Sequence, residues 1–259
     1  MDTSRPLILV TNDDSINAPG IHHLADILRT LGDVFVVAPA HPHSGQSAAL
    51  TVGSPLRINE VASTSEGVRF FTVNGTPVDC IKLALHTIVP RRPDFIFSGI
   101  NHGSNSAVNV TYSGTMGAVM EGCLEGIPSV GFSLLHHSMK ADFSLSTAIV
   151  ASIAAEVIAN GLPAGICLNV NIPARVIPEG IKVCRAAKGY WTDQYERYLD
   201  PLGVPFYWLT GHFVNNEPEA TDTDEYWLGC RYVSVVPVKV DLTARDAIRE
   251  LGERFDTAE

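Results

Sequence analysis

The feature that most constrains the fold is a short apolar run that ends at two adjacent carboxylates. Residues 7–10 are all apolar, and Asp13 and Asp14 follow soon after. Such an uninterrupted run is typical of a strand buried on both faces, as in a parallel sheet covered by helices. Neighbouring strand side chains point to opposite faces, so the chain must bend if both carboxylates are to reach one ligand. The sequence therefore predicts a buried first strand followed by a bend.

The predicted bend lies where α/β proteins usually bind their ligands. The carboxyl ends of parallel strands meet at one edge of the sheet, and ligands bind in the crevice there. Two carboxylates held close together repel each other unless one is protonated or a cation lies between them. Asp13 and Asp14 therefore indicate a divalent metal site. The alternative is a strand-to-helix loop that uses Asn12 and the two aspartates as turn and capping residues.

Strand-like and helix-like segments alternate through the first two thirds of the chain. Helical spacing of apolar residues predicts a helix that starts at residues 18–20 and ends at Gly32, and residues 34–38 predict a second buried strand. This strand–helix–strand order is the unit of a parallel sheet. Further strands are predicted at residues 70–73, 94–98, 127–133 and 168–172, and further helices at residues 78–88, from residue 112, and at residues 143–160.

The pattern changes after about residue 180. Strand-like pieces at residues 181–187, 206–210 and 232–236 are separated by polar turns, and a final helix is predicted from residue 243 to about 254. Aromatic residues are concentrated in this part of the chain: Tyr190, Trp191, Tyr195, Tyr198, Phe206, Tyr207 and Trp208. Exposed aromatic side chains on a hairpin favour burial against a partner subunit. We therefore expect one domain over residues 1–259, with a core to about residue 180 and a hairpin arm with a helix over residues 181–259.

Composition excludes several classes of function. The net charge of −10 argues against binding to a nucleic-acid polymer, although a local cation would still allow a small anionic substrate. The sequence predicts no signal peptide over residues 1–6 and no segment long enough to span a bilayer, so no membrane association is expected. The five cysteines are scattered and form no Cys-x-x-Cys pair, which indicates reduced thiols and a cytoplasmic location.

Four loops are expected to meet at one edge of the sheet, namely residues 12–15, 41–47 and 99–106 and the helix start at Ser113. Their Asp, Ser and Asn oxygens suit Mg²⁺, Mn²⁺ or Ca²⁺ better than Zn²⁺. Backbone N–H groups and hydroxyls at residues 113–115 suit a phosphate oxyanion, and simple N-capping by Ser113 or Thr115 is the alternative. A hard cation beside an oxyanion site suggests phosphoryl chemistry.

Other signatures are missing or incomplete. The sequence has no Gly-x-x-x-x-Gly-Lys-Ser/Thr motif, and no Gly-x-Gly-x-x-Gly follows the first strand. Ser47 and Ser133 lie in near-matches to the serine-hydrolase elbow that lack its final glycine, so a serine-type acyl hydrolase remains an alternative. A non-catalytic nucleotide-binding module is a second alternative. His41 and His43 either join the metal site or belong to a solvated loop.

With these motifs in their order, the chain resembles the SurE family, the survival-protein-E nucleotidases. The resemblance covers residues 6–175 closely and the remainder more loosely. It is carried by TNDD at 11–14, APG at 18–20, SGQS at 44–47, GTPVDC at 75–80, SGIN at 98–101, YSGT at 112–115 and LNVNIP at 168–173.

The resemblance implies a three-layer, Rossmann-like α/β sandwich and a metal-dependent phosphatase. Such an enzyme hydrolyses nucleoside 5′- (and 3′-) monophosphates by metal-activated water, with one Mg²⁺ or Mn²⁺ per subunit. The family pattern also implies a homodimer or homotetramer that exchanges the carboxyl-terminal arm. Asp13 is the implied catalytic residue, which orients or deprotonates the water or instead forms a phospho-aspartate. The implied metal ligands are Asp13, Asp14, Ser44 and Asn101, and the implied phosphate-binding residues are Asn105, Ser113, Gly114 and Thr115.

Four positions depart from the family pattern. Ser15, Ala107 and Arg231 stand where the family usually has glycine, and Asn109 stands in place of an aspartate. A turn that needs a positive φ at residue 15 would be strained by a serine. The changes at residues 15, 107 and 109 are expected to affect loop geometry and substrate preference.

Overall fold

The structure is a computed structural model that describes residues 5–63 and 65–256. The first four residues, where no signal peptide is predicted, lie outside the described residues. The strands are β1 (Leu7–Thr11), β2 (Asp33–Pro39), β3 (Ile58–Val61), β4 (Arg69–Val73), β5 (Phe95–His102), β6 (Ser129–Leu134), β7 (Ile166–Ile172), β8 (Ile181–Val183), β9 (Gly189–Thr192), β10 (Tyr195–Leu199), β11 (Pro205–Leu209), β12 (His212–Asn215) and β13 (Val233–Lys239). The α-helices are α1 (Pro19–Leu28), α2 (Pro77–Leu83), α3 (Gly114–Leu124), α4 (Thr147–Asn160), α5 (Asp224–Gly229) and α6 (Arg245–Phe255).

A mixed, mostly parallel sheet forms the centre of the fold. Its strand order is β3-β4-β2-β1-β5-β6-β7-β13-β8. The six strands from β4 to β7 in this order are parallel to one another. Strand β3 pairs antiparallel with β4, and β13 pairs antiparallel with β7 and parallel with β8. Because β1 lies between β2 and β5, the loops that follow these strands open at the same edge of the sheet.

Helices cover both faces of this sheet, which confirms the predicted three-layer α/β fold. All five residues of β1 are buried. Ile8 and Val10 pack in the cluster that holds α1 and α4, and Leu7 and Leu9 pack in the cluster that holds α2. The apolar run is therefore divided between two cores by the alternation of strand side chains.

Local sequence signals explain where most helices begin. Helix α2 starts at a capping box in which Thr76 accepts a hydrogen bond from the Asp79 N–H and the Asp79 side chain accepts one from the Thr76 N–H. Asp79 is therefore a capping residue at the start of this helix. The helix predicted over residues 78–88 changes to a π-helical turn at Ala84–Ile88. The helix predicted from residue 143 begins as α4 at Thr147, because a 3₁₀ turn at Ser144–Ser146 precedes it.

The segment after residue 180 divides between the sheet and two hairpins. Strands β8 and β13 extend the central sheet beyond β7, although the sequence pattern placed both segments in the arm. Strand β10 pairs with β11, and β9 pairs with β12, in two separate two-stranded sheets. Every residue of β10 and β11 is exposed, and no residue of α6 is buried. Helix α5 and the edge strand β3 were not predicted.

Among the described residues, every helix is too short or too polar to cross a bilayer.

Candidate active site

A cleft of about 580 Å³ opens at the carboxyl edge of the parallel strands. All four loops that were expected to meet at this edge contribute to its lining. Of the predicted site residues, those that line the cleft are Asp13, Ser44, Asn101, Asn105 and Ser113. The volume is in the range of small-molecule sites. The remaining predicted residues do not line the cleft: Gly114 and Thr115 lie against Asp13, and Asp14 accepts a hydrogen bond from His102.

Asp13 lies in the bend after β1, where helix α3 begins. Its Oδ1 accepts a hydrogen bond of 2.5 Å from the Thr115 hydroxyl. A Cβ at position 114 would lie only 2.8 Å from the Asp13 Cβ, so Gly114 is required for this close approach. Burial, and secondarily the charge of Asp14, raises the pKa of Asp13 to about 6, although hydrogen bonds from Thr115 oppose the rise. The surroundings of Asp13 therefore disfavour the ionised form of its carboxyl group.

Asp14 joins the ends of the two central strands. Its Oδ2 accepts a hydrogen bond of 3.0 Å from the backbone N–H of His102 at the end of β5. Burial raises the pKa of Asp14, and the His102 N–H opposes this rise. The two aspartates are only 4% and 8% exposed, so two adjacent carboxylates are largely removed from water.

Asn101, near the end of β5, and Ser44, on the loop after β2, line the same cleft. The side-chain nitrogen of Asn101 donates a 2.9 Å hydrogen bond to the Gly103 carbonyl, which leaves its Oδ1 for a ligand. Ser44 lies on the loop after β2, and this loop is tied to the first one by a 2.7 Å hydrogen bond from the His43 N–H to the Asp13 carbonyl. The predicted four-residue metal set is therefore brought to one edge of the sheet.

Residues 113–115 at the start of α3 were predicted either to bind phosphate or simply to cap the helix. Ser113 is the N-cap and its hydroxyl accepts a 3.1 Å hydrogen bond from the Met116 N–H, while the residue also lines the cleft. Thr115 is fully buried and its hydroxyl donates to Asp13. The capping alternative therefore describes Ser113 correctly, and its hydroxyl hydrogen remains available to a ligand.

Asn105 is fixed by a buried polar network that sequence reasoning did not identify. Its side-chain nitrogen donates to the Ser133 hydroxyl at 2.8 Å, and its backbone N–H donates to Asn171 Oδ1 at 2.8 Å. Its carbonyl accepts a 2.8 Å hydrogen bond from Asn169. The only signal for these partners in the sequence is the pair of asparagines in a buried strand, where polar side chains need partners.

The far side of the cleft comes from the second half of the chain. Trp191 on β9 and Phe213 on β12 pair directly across their hairpin, and Glu225 lies in the first turn of α5. All three line the cleft. The aromatic clustering around residue 190 was a signal for this wall, but nothing local connected residue 225 to the site.

The alternative serine nucleophiles are poorly presented. Ser133 is fully buried on β6, and the Ser47 hydroxyl donates to the Thr111 carbonyl at 2.8 Å. His43 contacts Gln46 at 2.7 Å within its own exposed loop, in agreement with the solvated-loop interpretation. The imidazoles that do line the cleft belong to His102 and His137, and burial lowers the pKa of His102.

Comparisons with known proteins bear on this arrangement. The family model described as Survival protein SurE matches residues 8–193. A protein named 5′-nucleotidase SurE from Phocaeicola vulgatus is 49% identical over 251 residues, which cover 97% of this chain and 97% of that protein. The chain belongs to the SurE family. A second 5′-nucleotidase SurE, from Flavobacterium psychrophilum, is 48% identical and covers 96% of this chain and 97% of its own length.

A solved SurE structure has the same fold. The crystal structure of the SurE protein from Aquifex aeolicus matches with a TM-score of 0.82 and 35% identity, covering 97% of this chain and 100% of that one. The predicted family and fold are thereby confirmed.

The departures from the SurE pattern coincide with unusual backbone conformation. Ser15, Ala107 and Arg231 have φ values of 88°, 51° and 65°, in the region that favours glycine. The strain expected at Ser15 is therefore present, and the other two positions share it. Asn109 accepts a 2.8 Å hydrogen bond from the indole N–H of Trp191, so this departure touches the wall of the cleft.

Proposed function

We propose that this SurE-family protein is a nucleotidase that hydrolyses nucleoside 5′- and 3′-monophosphates to nucleoside and phosphate with the help of one Mg²⁺ or Mn²⁺. Its relatives that carry the name 5′-nucleotidase SurE align over nearly its whole length. The proposal assigns the metal to Asp13, Asp14, Ser44 and Asn101, and the phosphate to Asn105, Ser113, Gly114 and Thr115.

One observation carries the proposal: the amino-terminal end of α3, whose dipole favours an anion, and acidic side chains meet in the same cleft. Its side chains are neutral or acidic apart from the imidazoles of His102 and His137. Phosphate would be repelled by Asp13 and its buried neighbour Asp14 unless a cation offset their charge. A cation held by Asp13 and Asp14 would offset the repulsion between the two carboxylates as well as their repulsion of the phosphate.

The residues fit such an ion in donor type. Carboxylate, hydroxyl and amide oxygens suit Mg²⁺ or Mn²⁺. Burial already raises the pKa of Asp13 and of Asp14, and a cation beside them would stabilise their charged forms. Within the described residues no three or more His, Cys, Asp or Glu side chains are arranged to hold a metal. The proposed set differs from such a group because it takes two of its four donors from Ser44 and Asn101.

Different side chains are assigned to activating the water and to binding the phosphate. When bound, the divalent ion offsets phosphate charge and lowers the pKa of a water molecule. Asp13 Oδ1 is engaged by Thr115, so we assign its Oδ2 to orient the attacking water and to accept its proton. The Ser113 hydroxyl, the remaining amide hydrogen of Asn105 and the backbone N–H of Gly114 donate to the phosphate oxygens. Thr115 supports the site through its hydrogen bonds to Asp13.

The test is phosphate release from a panel of nucleoside monophosphates, with and without chelator. We expect EDTA to abolish turnover and Mg²⁺ or Mn²⁺ to restore it. Asp13→Asn should lower kcat/KM by at least about 100-fold because it removes the proton acceptor. Asp26→Asn is the matched control, since Asp26 is an exposed residue of α1, and it should behave as wild type.

Other outcomes separate the alternatives. Ester hydrolysis that survives EDTA would favour the acyl hydrolase, and nucleotide binding without phosphate release would favour the binding module. Radiolabelled phosphate retained on acid-quenched protein would replace direct attack by water with the phospho-aspartate route.

We further infer a homodimer or homotetramer built through the carboxyl-terminal arm. The support is the set of exposed aromatic side chains on β10 and β11 and the absence of buried residues in α6 among the described residues. Sedimentation should give at least twice the chain mass of 27.9 kDa, and a monomer would contradict the inference. A cytoplasmic location is supported by five free cysteine thiols.

A further inference from the structure

One carboxylate in the cleft has no place in the phosphate and metal chemistry. Glu225 is half-buried on the far wall, and its Oε1 accepts a 2.5 Å hydrogen bond from the Ser106 hydroxyl. A carboxylate next to a bound phosphate would repel it, so this side chain must face a part of the substrate that donates hydrogen bonds. The Ser106 contact engages one oxygen, so Oε2 is the atom left for that donor.

Glu225 is also connected to the proposed phosphate side. Ser106 lies 2.6 Å from the Ser104 hydroxyl, and Ser104 contacts Asn171 Oδ1 at 3.4 Å. The same Asn171 oxygen accepts the 2.8 Å hydrogen bond from the Asn105 backbone. Glu225 therefore contacts the residue next to Asn105 in the chain, and both side chains line the same cleft.

Two aromatic side chains suited to a flat ring line the same cleft as Glu225. Trp191 and Phe213 pair directly across the β9–β12 hairpin and both line the cleft. The indole N–H of Trp191 is bound by Asn109, so the ring is held in place and its face is the part that remains for contact. Aromatic faces favour stacking with other flat rings, including nucleobases.

We propose that Glu225 is a specificity-determining residue that binds the 2′- and 3′-hydroxyls of a ribose, with the base against Trp191 and Phe213. This inference rests on the proposed function and narrows it. Oε2 has two lone pairs and can accept from both neighbouring O–H groups, and acidic residues bind ribose hydroxyls in dinucleotide-binding folds. Ribonucleoside 5′-monophosphates are then the preferred substrates. Deoxyribonucleotides lack one of these hydroxyls, and 3′-monophosphates have one of them blocked.

The experiment compares kcat/KM for ribonucleoside, 2′-deoxy and 3′-deoxy 5′-monophosphates of one base, with phenyl phosphate as a substrate without a sugar. Wild type should prefer the ribonucleotide by at least about tenfold, the effect of a hydrogen bond to a charged group. Glu225→Ala should reduce this preference to below about threefold. Glu225→Gln keeps an acceptor for Ser106 but loses the charge, so it should fall between the two.

Two results would overturn the inference. One is a ribose preference that Glu225→Ala leaves intact. The other is an equal loss of kcat/KM for nucleotides and for phenyl phosphate, because Glu225 would then act only by holding the Ser106 loop. Glu219→Gln is the matched control, since Glu219 is exposed and lies outside the cleft lining, and it should keep the wild-type preference.

The two proposals fail in different ways. A wild-type enzyme that hydrolyses ribo- and deoxyribonucleotides equally well refutes the ribose site and leaves the nucleotidase intact. A protein that releases phosphate from phenyl phosphate but from no nucleotide refutes both.

Discussion

Replacing Asp13 with asparagine should stabilise the metal-free protein while it destroys activity. Asp13 is 4% exposed and its neighbour Asp14 carries a like charge, so the folded state disfavours an ionised carboxylate at position 13. Asparagine has nearly the same shape, keeps an acceptor for the Thr115 hydroxyl and carries no charge. Removal of that charge should therefore remove the free-energy cost of burying it beside Asp14. In the wild type, only a bound cation offsets this cost.

The size and the sign of this change in the free energy of unfolding follow from the pKa of Asp13. The folded state raises it from 3.8 to about 6, so the folded protein binds this proton more tightly than the unfolded chain does. Tighter binding of this proton stabilises the folded state fully below about pH 4, and the stabilisation is lost as the pH rises through about 6. At pH 8 the loss amounts to about 3 kcal/mol, which is an upper limit for the gain in Asp13→Asn.

Urea unfolding in EDTA at pH 4 and pH 8 measures this gain. We expect Asp13→Asn to be more stable than wild type at pH 8 by roughly 1–3 kcal/mol and the difference to shrink at pH 4. Added Mn²⁺ should stabilise wild type more than the variant, because a ligand stabilises only the state that binds it. Asp26→Asn is the control. If Asp13→Asn is the less stable protein at pH 8 in EDTA, the argument from burial is refuted.

Substitutions at three further positions test a close approach, a set of buried hydrogen bonds and a positive φ. Gly114→Ala should lower kcat/KM by at least about 100-fold, because its Cβ would lie 2.8 Å from the Asp13 Cβ. Asp224→Asn should cost about 2–4 kcal/mol in urea unfolding, since this fully buried carboxylate accepts three backbone N–H groups and an amide nitrogen would oppose at least one. Arg231→Gly should be more stable than Arg231→Ala by about 1 kcal/mol, because φ is 65° there.

Each of these has a control or a contrary outcome. Gly53→Ala, at an open loop position with no atom within 4 Å, should leave activity unchanged. A Gly114→Ala enzyme of normal activity would show that Asp13 need not approach the helix. A loss below about 0.5 kcal/mol in Asp224→Asn would mean that water replaces its contacts. Equal stability of the two Arg231 variants would remove the case for backbone strain.

The site could be predicted in part because its pieces lie in short local patterns. The apolar run before Asp13 predicted a buried strand, and the rule that parallel strands share one carboxyl edge brought Asn101 and Ser113 toward it. Their roles as metal and phosphate ligands remain predictions. The environment of Asp13 was not predictable, because its raised pKa depends on burial by parts of the chain that are distant in sequence.

The fold, like the site, was predictable only where it depends on local sequence patterns. The alternation of strands and helices predicted the α/β class, yet β8 and β13 were assigned to the arm. An alternating strand has the same sequence pattern whether it pairs in a hairpin or at the edge of a large sheet. Strand β13 joins the central sheet because it pairs with the edge of β7 in the folded structure.

By itself, the sequence determined the buried strands, the helix starts and the polar loops that follow them, because each depends on residues within a few positions of one another. Tertiary structure alone decided the far wall of the cleft. Glu225 contacts Ser106 across 119 positions of the chain, and Trp191 is held by Asn109 across 82. No local periodicity encodes such a contact, because the packing of the whole sheet and its hairpins sets the distance between the two side chains.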